Sequence, residues 1–345
     1  MSAPDPIVCA SIYCNARLDQ VIHRAVAPAW ERLREDREAG WMLWWVRYSL
    51  NGDHLKLRLH GPGMMRDHAC RVVTNEVQAY FATLPLVDPG EARISRARIP
   101  AIDPEDESGH AYPDRTLLWT TYRRSPVSLG PQQLLGDDGY AARISTCLGY
   151  GAEVVLASTS LADNGRIPAP MRQRTLLRLL VAAIGASGID AAHRAEYLAY
   201  HRDWLLRFAV NDGKREAEVV GMFDQRVDGM QAGVDRLRHV ATARWGAPGG
   251  AVSSAGIEGA WSEAVAELCA HCAAMRGRIP EPLDPFGADP VFPPLFKALH
   301  GVANQVGLDM LNEAFVHHLM LRVVAAIGPC PSGHGILRGS LSDAA

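Results

Sequence analysis

The sequence predicts an α+β fold: ferredoxin-like antiparallel strands with helices packed on them, followed by a helix-rich C-terminal half. Three observations carry this. A strand, a helix, a hairpin and a second helix follow one another within residues 7–84, the order of a split β-α-β unit. The hairpin alternates charged and apolar side chains with a period of two. From about residue 171, apolar residues recur at helical spacing almost to the end.

The elements follow in order. The β-branched run "IVCASIYC" (7–14) reads as an edge strand. Residues 18–36 have apolar residues at helical spacing, with Asp19 near the start, where an acidic group suits a helix. "GWMLWWVRYSL" (40–50) leads through the turn signal "NGD" into "HLKLRLH" (54–60), closed by "GPG" (61–63). Residues 41–60 therefore form a hairpin. A second helix spans 65–84. Residues 86–114 read as loop with a short strand at "ARISRARIPA", and 115–124 as a further strand. The Gly/Pro-rich stretch 125–153 reads as irregular. Helices are expected over 171–188, 190–210 and 256–277, then a Pro-rich crossing loop at 278–294 and one or two helices in 293–328. The region 211–255 receives no assignment. Residues 1–330 form a single region, sheet-rich over 1–160 and helix-rich over 171–328, with a frayed tail at 329–345.

Composition narrows the function. The 345 residues carry a formal net charge of −3, which argues against general affinity for nucleic acid or anionic membranes. No uncharged apolar run reaches the roughly 18 residues of a membrane span, and the N-terminus lacks a signal-peptide pattern. The expected location is the cytoplasm. Seven cysteines without framework spacing read as reduced thiols. Cys269 and Cys272 make a C-x-x-C around His271, but no second ligand pair follows, so they read as small apolar helix residues and not as a zinc site. "HRDW" (201–204) lies in an amphipathic helix and lacks the companion motifs of a kinase. No phosphate loop is present. No metal or other cofactor is expected.

Two stretches carry candidate chemistry. On a strand, residues two apart share a face. His54, Lys56, Arg58 and His60 therefore point one way, and Leu55, Leu57 and Leu59 point into the core. No acidic residue balances the polar face, and Arg47 on the preceding strand is expected to add to it. Like charges side by side repel, so an anionic or carbonyl-rich ligand would complete this face. The ordinary alternative is a solvated strand surface. In "FVHHLMLR" (315–322), His318 and Arg322 are four apart on one helix face and His317 lies aside. They read either as interface residues or as a proton-moving histidine near neutral pH with an arginine for an oxyanion.

Together these stretches resemble the lantibiotic dehydratase C-terminal domain, also called the thiopeptide-type bacteriocin biosynthesis domain. "WWVRYSLNGDHLKLRLHG" is similar to its hairpin motif. "YGAEVVLAST" (150–159) is similar to its central Tyr-x-x-Glu-x-x-Arg-Tyr-Gly-Gly segment, and "HHLMLR" (317–322) to its final His-x-x-x-Asn-Arg helix. The resemblance implies a ribosomally made precursor peptide as partner, with leader and dehydrated core. The sequence leaves both a monomer and a homodimer open. The resemblance implies catalytic roles for His317, Arg58, Tyr150 and Glu153 and substrate binding by Lys56 and Arg322, while the shared strand and helix faces add Arg47, His54, His60 and His318 as candidate substrate-binding residues. Leu156 stands where the family has its central arginine, Ala157, Ser158 and Thr159 replace Tyr-Gly-Gly, and Leu321 replaces the asparagine. Leucine cannot hold a glutamyl carboxylate, and losing such a contact costs about 1–3 kcal/mol. The sequence is therefore most similar to the stand-alone thiopeptide pyridine synthases. These join two dehydroalanines in a formal aza-[4+2] cycloaddition with loss of water and of the leader peptide. The two other readings are a glutamate-eliminating subunit of a split dehydratase and a non-catalytic peptide-binding scaffold.

Overall fold

The computed structural model describes residues 7–14, 18–35, 40–48, 53–61, 65–85, 112–122, 138–160, 166–210, 212–245, 256–275, 289 and 291–327. Four antiparallel strands, β1 (Ile7–Tyr13), β2 (Met42–Tyr48), β3 (His54–His60) and β4 (Thr116–Tyr122), lie in the order β2-β3-β1-β4. This is the predicted ferredoxin-like sheet. The hairpin is confirmed, with Tyr48 opposite His54 and Met42 opposite His60. β1 is not an edge strand: it is paired on both sides, by β3 and β4, and every residue in it is buried. A strand buried on both faces reads as a continuous apolar run, and that was the signal in its β-branched sequence. The short strand expected at "ARISRARIPA", the centre of the "NGD" turn and the tail lie outside the described residues.

The helix expected over 18–36 is α1 (Leu18–Val21) and α2 (Ala27–Glu35) joined by a π-helical turn at Ile22–Val26. Pro28 has no N–H to donate, and the Ala27 N–H bonds to the Ile22 carbonyl, which widens the turn. α3 (Arg66–Thr83) meets the apolar sheet face, where Trp119 donates to Thr74 Oγ1 at 3.1 Å.

The helical half holds α4 (Asp138–Thr159), α5 (Ala169–Ala186), α6 (Arg194–Val210), α7 (Gly213–Asp228), α8 (Gln231–Trp245), α9 (Ile257–Ala274), α10 (Phe292–Val306) and α11 (Met310–Ile327). α4 overturns the expectation of an irregular 125–153 over residues 138–153; residues 125–137 lie outside the described residues. Its glycines serve close packing: a Cβ on Gly149 would stand 2.5 Å from Met42 Cγ, and one on Gly151 2.4 Å from Val302 Cγ2. Helix propensity is a weak prior that tertiary packing overrides. α7 and α8 occupy the stretch left unassigned. α7 begins at Asp212, whose side chain accepts from the Lys214 N–H, an ordinary N-cap.

The two halves meet along β2, against which α4 and α10 pack. Asn304 caps this open strand edge. Its Oδ1 accepts from the Arg47 N–H at 2.7 Å, and its Nδ2 donates to the Arg47 carbonyl at 3.2 Å. One side-chain amide thus satisfies both backbone groups as a further strand would. α11 is long and apolar enough to cross a membrane by length and composition. Here it packs mainly on α6, and Glu313 to Met320 are all buried.

Candidate active site

The strand register decides which side chains share the hairpin's polar face. Arg58 lies between Cys9 and Trp44, Lys56 between Ser11 and Val46, and His54 between Tyr13 and Tyr48. Arg47 is opposite Leu55 and so belongs to the apolar face, contrary to the sequence reading. There it pairs with Asp19 at 2.8 Å and donates through Nε to the Gln305 carbonyl. Burial lowers its pKa and Asp19 opposes the shift. Arg172 pairs with the same carboxylate. Arg47 is therefore a joint between α1, β2 and α10.

The polar face is not solvated. Lys56 and Arg58 are each 3% exposed and His54 is fully buried, while His60 at the strand end is half-buried. His54 stacks between Tyr13, at 4.5 Å, and Tyr48, at 5.5 Å between centroids. Lys56 Nζ lies 4.8 Å from the centre of the Tyr48 ring, within cation–π range. Arg58 Nε is buried without a hydrogen-bond partner among the described residues. Burial pushes the Cys9 thiol up, and the charges of Arg58 and Lys56 oppose it.

A fourth cation joins them from the helical half. Lys297 of α10 is 3% exposed. Burial drives its pKa well below the usual lysine range, and the charge of Arg58 adds to the effect. Neither Lys297 nor Arg58 forms an ion pair with a described residue. A buried cation without a counter-ion costs several kcal/mol, so this pair is an electrostatic deficit on the sheet.

His317 lies in a second buried group. Glu313 accepts from His201 Nε2 at 3.1 Å and His300 Nδ1 at 2.8 Å, and Tyr197 shares a hydrogen bond with His201 Nδ1 at 3.0 Å. Burial alone would raise Glu313, but His300 and His201 bring it to about 2. The His317 ring lies 3.6 Å from that of His201. Its Nδ1–H donates to the Glu313 carbonyl at 3.0 Å, and Nε2 has no partner among the described residues. That bond makes Nε2 the acceptor nitrogen. Burial, reinforced by His201 and opposed by Glu313, lowers His317 to about 3. The expectation of an imidazole titrating near neutrality therefore fails: His317 is neutral at pH 7.

His318 and Arg322 do share a face, and both reach Asp224, at 3.1 and 2.9 Å. Burial lowers His318 while Asp224 opposes the shift, and Arg322 also pairs with Asp228. These contacts tie α11 to α7. Tyr150 packs against the core from α4. Glu153 lies near Arg34, at 4.0 Å, in a groove beside α2. Burial raises its pKa and Arg34 opposes this. The sequence-predicted site is thus divided among a sheet face, a helical cluster and a groove. α10 links the first two: Lys297 feels the charge of Arg58, and His300, one turn on, holds Glu313, one turn before His317.

Lys297, Glu313, His201 and His300 escaped the sequence reading. A lone lysine inside the apolar run "VFPPLFKALH" and a glutamate four residues before His317 were the available signals. Cys269 and Cys272 are buried on α9, and no metal-binding group of His, Cys, Asp or Glu occurs among the described residues.

The family model of the lantibiotic biosynthesis dehydratase C-terminal region matches residues 8–324. The chain belongs to that family. The match runs from β1 to α11, so the cationic face and the histidine cluster both lie within the dehydratase C-terminal region. The pyridine synthase TbtD from thiomuracin biosynthesis superposes with a TM-score of 0.66 at 18% identity, over 94% of this chain and 98% of that one. TsrL superposes at 0.58 with 13% identity, over 93% and 95%. The tRNA-dependent lantibiotic dehydratase MibB from Microbispora sp. 107891 gives 0.47 at 15% identity, with 94% of this chain on 28% of that one. No curated relative matches. At these identities the TbtD and TsrL superpositions show a shared fold.

Proposed function

We propose that this chain is a pyridine synthase acting on a dehydrated ribosomal precursor peptide. The carrying observation is the buried Arg58 guanidinium, near a Lys297 whose charged form burial and Arg58 disfavour, with no counter-ion to either among the described residues. The near end-to-end correspondence with TbtD, named as a pyridine synthase, supports the reading.

In the proposed reaction a peptide amide tautomerises, its N–H proton passing to the oxygen to give an iminol. The resulting 2-azadiene adds through its two terminal carbons to the alkene of a second dehydroalanine, forming two C–C bonds and closing a six-membered ring that contains the amide nitrogen. Water then leaves, and the leader peptide departs as a carboxamide, which makes the ring aromatic. Holding two alkenes in contact contributes up to about 7–11 kcal/mol. Arg58, supported by Lys56 and His54, holds the amide oxygen as negative charge develops on it, the role of preorganised donors in a dry site. His317, neutral in the free protein with Nε2 as acceptor, takes a proton in the eliminations once negative charge developing on the substrate raises its pKa from about 3.

The same cations suit a glutamyl carboxylate, and so glutamate elimination is the second reading. Leu156, in place of the family arginine, counts against it. Mass spectrometry distinguishes the two. The chain, without ATP or transfer RNA, should release a leader fragment from a peptide with two dehydroalanines. Release of glutamate from a glutamylated peptide alone would replace the synthase reading, and no mass change on either substrate would leave a binding scaffold.

A further inference from the structure

Glu153 does not face the hairpin cations. It lines an open cavity of about 680 Å³ with Trp30, Glu31, Arg34, Glu35 and Trp41. A second cavity, of about 380 Å³, shares Trp30, Glu31, Arg34 and Glu153 and continues along α4 past Leu156. Together they form one groove between α2 and α4. We propose that this groove is a second peptide-contact site, which receives one basic side chain, arginine or lysine, of an extended segment of the substrate. The inference rests on the peptide-substrate reading above.

The charges favour a cation. Among the described lining residues, the carboxylates of Glu31, Glu35 and Glu153 stand with the one guanidinium of Arg34. Arg34 is 55% exposed and only 4.0 Å from Glu153, which is itself 19% exposed, so solvent screens the contact. Glu153 is thus a largely desolvated carboxylate with a weak partner, and a close hydrogen-bonded cation is what stabilises such a group. The walls favour an organic cation over a metal ion. Trp30 and Trp41 present indole rings, which attract guanidinium and ammonium groups. Both have a buried ring N–H without an acceptor among the described residues. The Trp41 ring lies on Gly61, where a Cβ would stand 2.2 Å from Trp41 Cε3; the glycine therefore permits this wall. Leu156, three residues after Glu153 on α4, leaves that carboxylate without an in-helix cation, which an arginine at that spacing would supply.

The probes are a blocked tripeptide with a central arginine and its citrulline twin, which keeps the shape and removes the charge, titrated by calorimetry against the whole chain. The arginine peptide should bind at least about tenfold more tightly than the citrulline peptide, a difference of about 1.4 kcal/mol. Glu153→Gln and Leu156→Arg should each remove that preference, the second by filling the groove with an internal cation, while Arg58→Ala should leave it intact. Circular dichroism establishes that each variant is folded. Equal binding of the two peptides, no binding at millimolar concentration, or an unchanged preference in folded Leu156→Arg would overturn the proposal. No turnover is read, so arginine-specific binding by a chain that leaves dehydrated peptide unaltered would refute the synthase reading and not the groove.

Discussion

The sheet face and the helical cluster are equally buried and oppositely arranged. On the sheet, Arg58 and Lys297 lie together without a carboxylate among the described residues. Among the helices, Glu313 is surrounded by His201 and His300, and every polar atom of its carboxyl is paired. Burial alone therefore does not mark a functional group. The cluster compensates its own charge and holds α6, α10 and α11 together, whereas the sheet face requires charge from a ligand. His317 stands at the border: it packs on the satisfied cluster but keeps an unused acceptor nitrogen.

The largest expected effect breaks the cluster. Glu313→Ala leaves His201 and His300 without their acceptor. Removing one partner of a buried charged group costs about 3–5 kcal/mol, which should lower Tm by about 4–7 °C. A thermal midpoint within a degree of wild type would show that the cluster is not a structural joint.

Arg58→Met should do the reverse. Loss of a donor to a developing oxyanion costs about 100-fold or more in rate, while replacing an uncompensated buried cation with an apolar side chain leaves stability unchanged or raises it. The checks are leader release by mass and a melt on the same sample. A variant that is both inactive and unstable would make Arg58 structural.

His317 sharpens the border through pH. Its folded-state pKa, lowered to about 3, lies below the unfolded value of about 6.5. Below pH 6.5 the unfolded chain gains a proton that the folded chain refuses, so stability falls with pH from about 6.5 toward 3. The slope approaches roughly 1.4 kcal/mol per pH unit, or about 2 °C in Tm. His201, also lowered by burial, contributes with the same sign. Glu313, held at about 2, adds a further loss only between the ordinary glutamate range and that value. His317→Phe should flatten the slope between pH 6.5 and 5 and slow leader release. An unchanged slope would mean that His317 is protonated in the folded protein.

The smallest effect belongs to His318→Phe. Asp224 retains Arg322, so the cost should stay within about 1 kcal/mol, with leader release unaltered. If this variant abolishes release while His317→Phe does not, the proton-transfer residue is the neighbouring one.

The sequence by itself determined the strand-helix-hairpin-helix order and the sharing of one face by His54, Lys56 and Arg58. It also showed that His318 and Arg322 share a helix face. Each is a matter of local periodicity, which the backbone imposes on near neighbours. The helix over 138–159 was hidden because its glycines lower helix propensity and their packing partners are Met42 and Val302, far away in sequence. Arg47 was assigned to the wrong face because one residue of register, set by pairing with β3, moves a side chain across a sheet. Only the tertiary structure decided that the polar face is buried, that Lys297 comes within the electrostatic reach of Arg58, that Glu313 gathers two histidines and that Glu153 faces a separate groove. Burial, charge compensation and pKa are sums over neighbours brought together by folding, and no local pattern in the chain contains them.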